Sequence, residues 1–263
     1  MSTLSYAVAD SATMLRRQLR HMLRYVSVTV FLIGMPIVFL LLFVYVFGGT
    51  LGAGLGGPAG GRAQYLEYVV PGILLIAVAA GGTGTAISVA MDMTEGIVAR
   101  FRTMAIFRPS VLTGHVLGSM IQTMLSLAVV TGVALLIGFR PKASPVEWVA
   151  TVGVLAMITL AVTWLCVAFG LVTKTVEAAS NLPTPLVFLP FLGSGFVPTE
   201  SMPTGLRWFA EYQPFTPVIE TVRGLLLGTA IGSSAIIAIA WCVAITLAGY
   251  LWAKKLYNRD PAH

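Results

Sequence analysis

Charged side chains are scarce in this chain of 263 residues. Asp, Glu, Lys and Arg together make up only 10% of the sequence, whereas a soluble globular domain carries about 25%. Hydrophobic residues make up 57%. So few charges cannot cover a water-soluble surface of this size, so the composition predicts an integral membrane protein.

Sequence motifs for chemistry are also missing. The chain contains no G-x-x-x-x-G-K-[ST] phosphate loop, no G-x-S-x-G and no H-E-x-x-H. Its two cysteines, Cys166 and Cys242, lie in apolar runs, and its three histidines are scattered. We therefore predict no disulfide framework, catalytic residue, metal site or cofactor for this chain.

Six apolar segments are long enough to cross a hydrocarbon core of about 30 Å as helices. Backbone groups in lipid must be satisfied within the protein, so the predicted fold class is all-α and polytopic. The first segment exceeds the roughly 7–15 residues of a signal-peptide core, and we expect it to be retained. The predicted spans are residues 26–47, 68–91, 111–137, 146–172, 178–196 and 234–253.

The interiors of these segments lack Asp, Glu, Lys and Arg. Ion-coupled transporters usually place such a group inside the membrane as a relay or ion site. If the chain moves a substrate, its energy is therefore expected from another subunit.

The positive charges indicate the orientation of the chain. Six spans place both termini on one side, and cytoplasmic segments are enriched in Lys and Arg. With both termini inside, eleven of the sixteen basic residues are cytoplasmic and five are outside. The net charge of +6 is thus a topology signal, and we predict no nucleic-acid partner. The five outer residues are Arg62, Arg140, Lys142, Arg207 and Arg223.

Two segments flank the first span. Asp10–Arg24 alternates apolar residues with a stripe of Arg16, Arg20 and Arg24, which predicts an amphipathic helix on the inner membrane surface. It is either a membrane anchor or also a contact for a cytosolic partner. Gly48–Gly61 contains G-x-G-x-x-G but no βαβ context, so we predict a flexible outer loop.

The inner loop from Asp92 to Gly118 combines acidic and basic residues. Asp92 and Glu95 precede three arginines, and apolar residues recur between them at helical spacing. An acidic start and a basic continuation suit the helix macrodipole, so a short amphipathic helix is predicted. It is either a loop that only sets topology or a helix that docks into a cytosolic protein.

Two stretches carry a family resemblance. They are "EGIVARFRTMAIFRPSVLTGHVLG", Glu95–Gly118, and "LPFLGSGFVPTESMPTGLRWFAEYQPFTPVIETVRGLLLG", Leu189–Gly228. Together with the order of the spans, they resemble the ABC-2 type transporter permeases, in particular the daunorubicin-resistance-like drug and lipid exporters. The resemblance covers nearly the whole chain and implies one membrane domain over residues 1–263.

The resemblance also implies partners and a location. Two permease subunits would pair with two cytosolic ATP-binding cassette subunits, which bind ATP and Mg²⁺, in the inner (plasma) membrane with its lipids. In this family the inner loop would couple to the ATPase. The coupling residues would be Glu95, Gly96, Arg100, Phe101 and Arg102.

The outer segment between spans five and six is broken by four prolines into two short predicted helices, about 203–211 and 216–227. Glu220 and Arg223 are three positions apart and can pair. By resemblance these helices are re-entrant and cap the outer mouth, and the alternative is a surface helix. The predicted gate residues are Pro214, Phe215, Pro217, Glu220 and Arg223.

The prediction from the sequence is therefore an exporter permease for an amphipathic drug, antibiotic or lipid. Two alternatives stay open, a membrane-bound enzyme of lipid metabolism and a non-transporting accessory subunit. Small residues between Ala79 and Ser88 in the second span predict close helix packing or a cavity lining.

Overall fold

The computed structural model describes residues 26–56, 61–95 and 109–257, together with Thr13, Leu15 and Arg16. Every regular element in these ranges is helical, which confirms the all-α prediction. The α-helices are α1 Val26–Leu42, α2 Gly48–Gly56, α3 Arg62–Thr94, α4 Pro109–Leu136, α5 Pro145–Val172, α6 Val176–Asn181, α7 Thr184–Phe188, α8 Thr204–Tyr212, α9 Phe215–Leu227 and α10 Ser234–Tyr257.

In the described ranges, five helical segments are long and apolar enough to cross a membrane. They correspond to predicted spans one, two, three, four and six. Their bounds are Leu32–Gly54, Arg62–Thr94, Leu112–Leu136, Pro145–Val172 and Ser234–Tyr257.

Helix α3 is the centre of the bundle. It packs against α1, α4 and α5 and also contacts α6, α7 and α9. The small residues of its middle third explain how three long helices reach it. A side chain at Gly81 would meet Thr123 of α4, one at Gly82 would meet Cys166 of α5, and one at Gly84 would meet Leu32 of α1. The prediction of close packing in the second span is confirmed.

The glycine-rich segment after the first span differs from the prediction. A five-residue π-helical turn, Phe43–Phe47, continues α1 directly into helix α2, Gly48–Gly56. The expected flexible loop is therefore wrong for this part, and Gly57–Gly60 lie outside the described residues. Helix formation brings Gly52 against the Gly61 carbonyl, an approach that a Cβ would block. Thr50 has the only polar side chain of this helix, and its hydroxyl donates to the Phe47 carbonyl oxygen at 3.0 Å, so helical hydrogen bonds must satisfy most of this backbone.

The predicted fifth span is not one continuous helix. Two short helices, α6 and α7, are followed by consecutive turns over residues 189–196. Proline lacks an N–H, so it is favoured at helix starts and in turns. Here Pro183 precedes α7, Pro185 lies in its first turn and Pro190 lies in the turns that follow it. The predicted span over 178–196 is therefore interrupted, and the count of six spans stays a prediction.

The outer segment folds into the two predicted helices. Helix α8 covers Thr204–Tyr212, and α9 covers Phe215–Leu227. Helix α9 ends at Gly228, which adopts the left-handed conformation (φ 72°) that glycine tolerates best. Their re-entrant placement in a membrane stays a prediction.

Two predicted interfacial elements fall largely outside the described residues. Of the predicted N-terminal helix, only Thr13, Leu15 and Arg16 are described, each as helical. Of the predicted coupling residues, Glu95 is described, whereas Gly96, Arg100, Phe101 and Arg102 lie outside the described ranges.

We call the turns over residues 189–196 the turn segment. Its backbone meets the backbone of α3 at two glycines, Gly195 and Gly72. An added Cβ at Gly72 would lie 2.6 Å from the Gly195 carbonyl oxygen and 2.8 Å from its Cα. Both contacts are backbone atoms, which cannot rotate away. The turn segment therefore packs on α3 only because residue 72 has no side chain.

We predict that Gly72→Ala destabilises the protein by about 1–3 kcal/mol through overpacking. The measurement is the thermal unfolding midpoint of the purified protein in detergent. Gly153→Ala in α5 is the matched control, because its Cβ would meet nothing within 4 Å. Equal midpoints for the two variants would contradict the close approach of α3 and the turn segment.

Candidate functional site

Helix α9 is a short helix that is buried against the bundle. Its side chains Phe215, Val218, Ile219 and Val222 are at most 1% exposed, and Pro217 is also buried. Pro214 precedes it and is half-buried. This burial argues against a surface helix.

Arg223 connects α9 to two other parts of the chain. Its Nη1 donates to Glu220 Oε1 at 2.6 Å, which confirms the predicted pair. Its Nη2 donates to the carbonyl oxygens of Ser194, at 2.6 Å, and Tyr68, at 3.1 Å. The guanidinium carbon lies 3.8 Å from the centre of the Tyr68 ring, within cation–π range. One buried cation therefore ties α9 to α3 and to the turn segment.

The two partners of the ion pair differ in environment. The side chain of Arg223 is 9% exposed, whereas that of Glu220 is 39% exposed. Arg223 also has its two carbonyl acceptors, so loss of the arginine removes three hydrogen bonds and loss of the glutamate removes one. The arginine is thus the more important member of the pair.

The start of α9 is fixed by side chains that bond to irregular backbone. Gln213 Nε2 donates to the Leu189 carbonyl oxygen at 3.1 Å and to Thr216 Oγ1 at 2.9 Å. Its Oε1 accepts from the Phe215 amide at 3.0 Å. Thr216 Oγ1 also accepts from the Ser194 amide at 3.4 Å. Gln213 and Thr216 were not singled out from the sequence, because their role depends on a turn segment that was predicted as a helix.

Aromatic rings fill the space between the turn segment and the first span. Phe191 and Phe196 stack with ring centres 4.4 Å apart, and Phe43 lies 4.5 Å from Phe196. The Tyr65 hydroxyl donates to the Phe196 carbonyl oxygen at 3.4 Å. The turn segment is therefore held between α3, α9 and the end of the first span.

A second ion pair on the same side has the opposite character. On α8, Arg207 Nε donates to Glu211 Oε1 at 2.7 Å, and the two side chains are 46% and 40% exposed. The hydrogen bond to Glu211 raises the pKa of the Arg207 guanidinium. This pair contacts solvent and provides a matched control for Arg223.

At the end of α3 opposite to its contact with α9, a buried pair spans the base of the predicted coupling loop. His115 Nε2 and Asp92 Oδ2 are 3.0 Å apart, with side chains 5% and 11% exposed. Asp92 lies near the end of α3, and His115 lies in the second turn of α4. Sequence analysis assigned no role to this histidine, because a separation of 23 residues gives no local signal. The exposed Glu95 follows α3 directly.

Comparison with known proteins adds to this geometry. The model of the ABC-2 type transporter family matches residues 11–227. The chain is 28% identical to a daunorubicin resistance ABC transporter permease protein, DrrB1, of Streptomyces coeruleorubidus, over 76% of this chain and 71% of that protein. It is 24% identical to a probable doxorubicin resistance ABC transporter permease protein, DrrC, of Mycobacterium tuberculosis, over 75% of this chain and 72% of that protein.

We predict that Arg223→Ala costs about 1–3 kcal/mol of stability, because the Ser194 and Tyr68 carbonyls lose their shared donor inside the protein. The thermal unfolding midpoint in detergent measures this loss. Glu220→Ala should have a smaller effect in the same assay, and Arg207→Ala should change little.

The exchange Glu220→Arg with Arg223→Glu should not restore stability, because a carboxylate at position 223 would face two carbonyl oxygens. Recovery by this exchange would show that the ion pair alone matters. An Arg223→Ala midpoint as high as that of Arg207→Ala would show that the buried contacts contribute nothing.

Proposed function

Because this chain belongs to the ABC-2 type transporter family, we propose that it is the permease of an ATP-driven exporter and that a separate cytosolic subunit hydrolyses ATP. The family match over residues 11–227 carries this proposal. The missing phosphate-loop motif supports it, because binding of the β- and γ-phosphates needs that backbone cradle and its lysine. The chain itself is a membrane-embedded transporter subunit with no cofactor of its own.

The proposed substrates are amphipathic molecules, either a drug or antibiotic or a lipid. The similar proteins are named for resistance to daunorubicin and doxorubicin, which supports the drug class. Export would proceed from the cytoplasm across the inner (plasma) membrane. Two permease subunits, identical or different, would form the pathway with two ATPase subunits, and the five apolar helices would contact membrane lipid.

Both termini are proposed to be cytoplasmic. Eleven of sixteen Lys and Arg residues then lie inside, as the positive-inside rule expects. The pair Lys254 and Lys255 at the end of α10 agrees with this orientation. With this topology the Glu95–Arg108 loop faces the ATPase, and α9 lies at the outer end.

We assign coupling to the ATPase to the loop that contains Glu95, Gly96, Arg100, Phe101 and Arg102. Support comes from its position between α3, the central helix, and α4. The Asp92–His115 contact joins these helices at the base of the loop. Motion of a docked loop would therefore reach the centre of the bundle through two helices at once.

We assign the outer gate to α9 and the residues that hold it. Its burial, and the contacts of Arg223 with α3 and the turn segment, support this role. A re-entrant helix is tolerated in a membrane where protein shelters its backbone. Opening would require movement of α9 relative to α3.

The proposal predicts that inverted membrane vesicles accumulate doxorubicin only when this chain, its partner ATPase and ATP are all present. Glu95→Lys should reduce both co-purification of the ATPase and drug accumulation, since it reverses an exposed charge beside the loop. Glu177→Lys, an exposed position in α6, is the matched control and should leave both unchanged.

Drug accumulation without the ATPase, or ATP hydrolysis by the purified chain alone, would overturn the two-subunit proposal. If Glu95→Lys and Phe101→Ala both kept full complex formation and transport, the loop would serve topology only.

A further inference from the structure

An apolar cavity of about 320 Å³ lies between α3, α4, α5 and α9. Leu74 and Leu226 form part of its wall, and along α5 it extends from Trp148 to Leu155. Seven helical positions correspond to about 10 Å. Val152, which also lines it, is 49% exposed, so the cavity opens to the side of the bundle. Its volume is at the small end of ligand pockets, which suits one hydrocarbon chain.

Two cations lie at the loop end of this cavity. Arg140 Nη1 donates to the Leu135 carbonyl oxygen at 3.1 Å. The Lys142 amide donates to the Leu226 carbonyl oxygen at 2.9 Å. Leu135 and Leu226 both line the cavity, so the guanidinium of Arg140 and the backbone of Lys142 lie at the cavity's edge.

The side chains of Arg140 and Lys142 are both exposed. Within the described ranges, neither forms an ion pair with an acidic side chain. Glu147 lies nearby in sequence, but its carboxylate accepts from the Ser144 amide at 2.6 Å in a capping box. The other described cationic side chains that are predicted to lie outside each have a partner within the protein. Arg223 and Arg207 form ion pairs, and Arg62 lies 5.0 Å above the Tyr45 ring.

We propose that this cavity binds one acyl chain of an anionic phospholipid, whose phosphate is held by Arg140 and Lys142. The apolar wall matches a hydrocarbon chain, and the two cations match a phosphate at the end where such a chain would leave the protein. Trp148 lies at the same end, where tryptophan suits the boundary between lipid and water. A cationic amphiphile would be repelled at this edge. Lipid binding at this site does not require transport. The lipid-site proposal therefore stands even if the proposed export function is wrong.

The test is contact quenching of Trp148 by phospholipids that carry bromine on their acyl chains. The full-length protein retains Trp148, and its other four tryptophans, Trp164, Trp208, Trp241 and Trp252, are replaced by Phe. It is reconstituted in nanodiscs with brominated phosphatidylglycerol or brominated phosphatidylcholine at matched mole fractions. We expect half-maximal quenching at a mole fraction roughly thirtyfold lower for the anionic lipid, as for two basic residues near an anionic surface at about 1 kcal/mol each.

Two pairs of variants separate binding of the lipid headgroup from binding of the acyl chain. Arg140→Gln with Lys142→Gln should remove the preference for the anionic lipid, whereas Arg207→Gln should keep it. Gly132→Leu should also remove the preference by filling the cavity, since Gly132 lines it and its added Cβ would meet nothing within 4 Å. Gly153→Leu, equally open but outside the cavity, should leave the preference intact.

Three results would overturn the proposal. Equal quenching by the two lipids would show that Trp148 contacts bulk bilayer only. Absence of quenching by either lipid would show that a second copy of the chain covers the cavity. A preference that survives neutralisation of Arg140 and Lys142 would show that these cations do not bind the headgroup.

Discussion

Irregular backbone among membrane helices must find hydrogen-bond partners within the protein, and the outer end of this bundle depends on that constraint. Pro183, Pro185 and Pro190 break the chain here into the short helices α6 and α7, and turns follow over residues 189–196. Side chains from α9 and from Gln213, two residues before its start, supply the missing donors. Gln213 reaches the Leu189 carbonyl, and Arg223 reaches that of Ser194. The turn segment and α9 therefore stabilise each other.

Helix α3 transmits this arrangement to the rest of the molecule. Gly72 admits the turn segment near its outer half, and Gly81, Gly82 and Gly84 admit three long helices near its middle. Near its inner end, Asp92 contacts His115 of α4. A single helix thus carries contacts from the proposed gate to the base of the proposed coupling loop. Displacement at one end can be passed to the other through packed elements that have few alternative arrangements.

Local patterns in the sequence predicted the long helices and the outer pair α8 and α9, because apolar runs and prolines act within a few residues. The pairing of Glu220 with Arg223 was predictable for the same reason, since three positions place both on one helix face. The contacts of Arg223 with Tyr68 and Ser194 could not be predicted from local sequence, since they join residues 155 and 29 positions apart. The helix at Gly48–Gly56 was missed because glycine favours loops in water, whereas helical hydrogen bonding dominates in an apolar setting.

The proposed gate requires that α9 closes the outer end at rest and moves during transport. Thr221 on α9 is 2% exposed, so a cysteine there, with Cys166 and Cys242 replaced by Ala, reports on that movement. Its labelling by a membrane-impermeant maleimide is measured from outside in cells that express this chain and its ATPase, with a cysteine at the exposed Gly205 of α8 as the always-labelled control. We predict slow labelling of position 221 when the ATPase is inactive and labelling several-fold faster during ATP hydrolysis. Equal rates in the two states would contradict it.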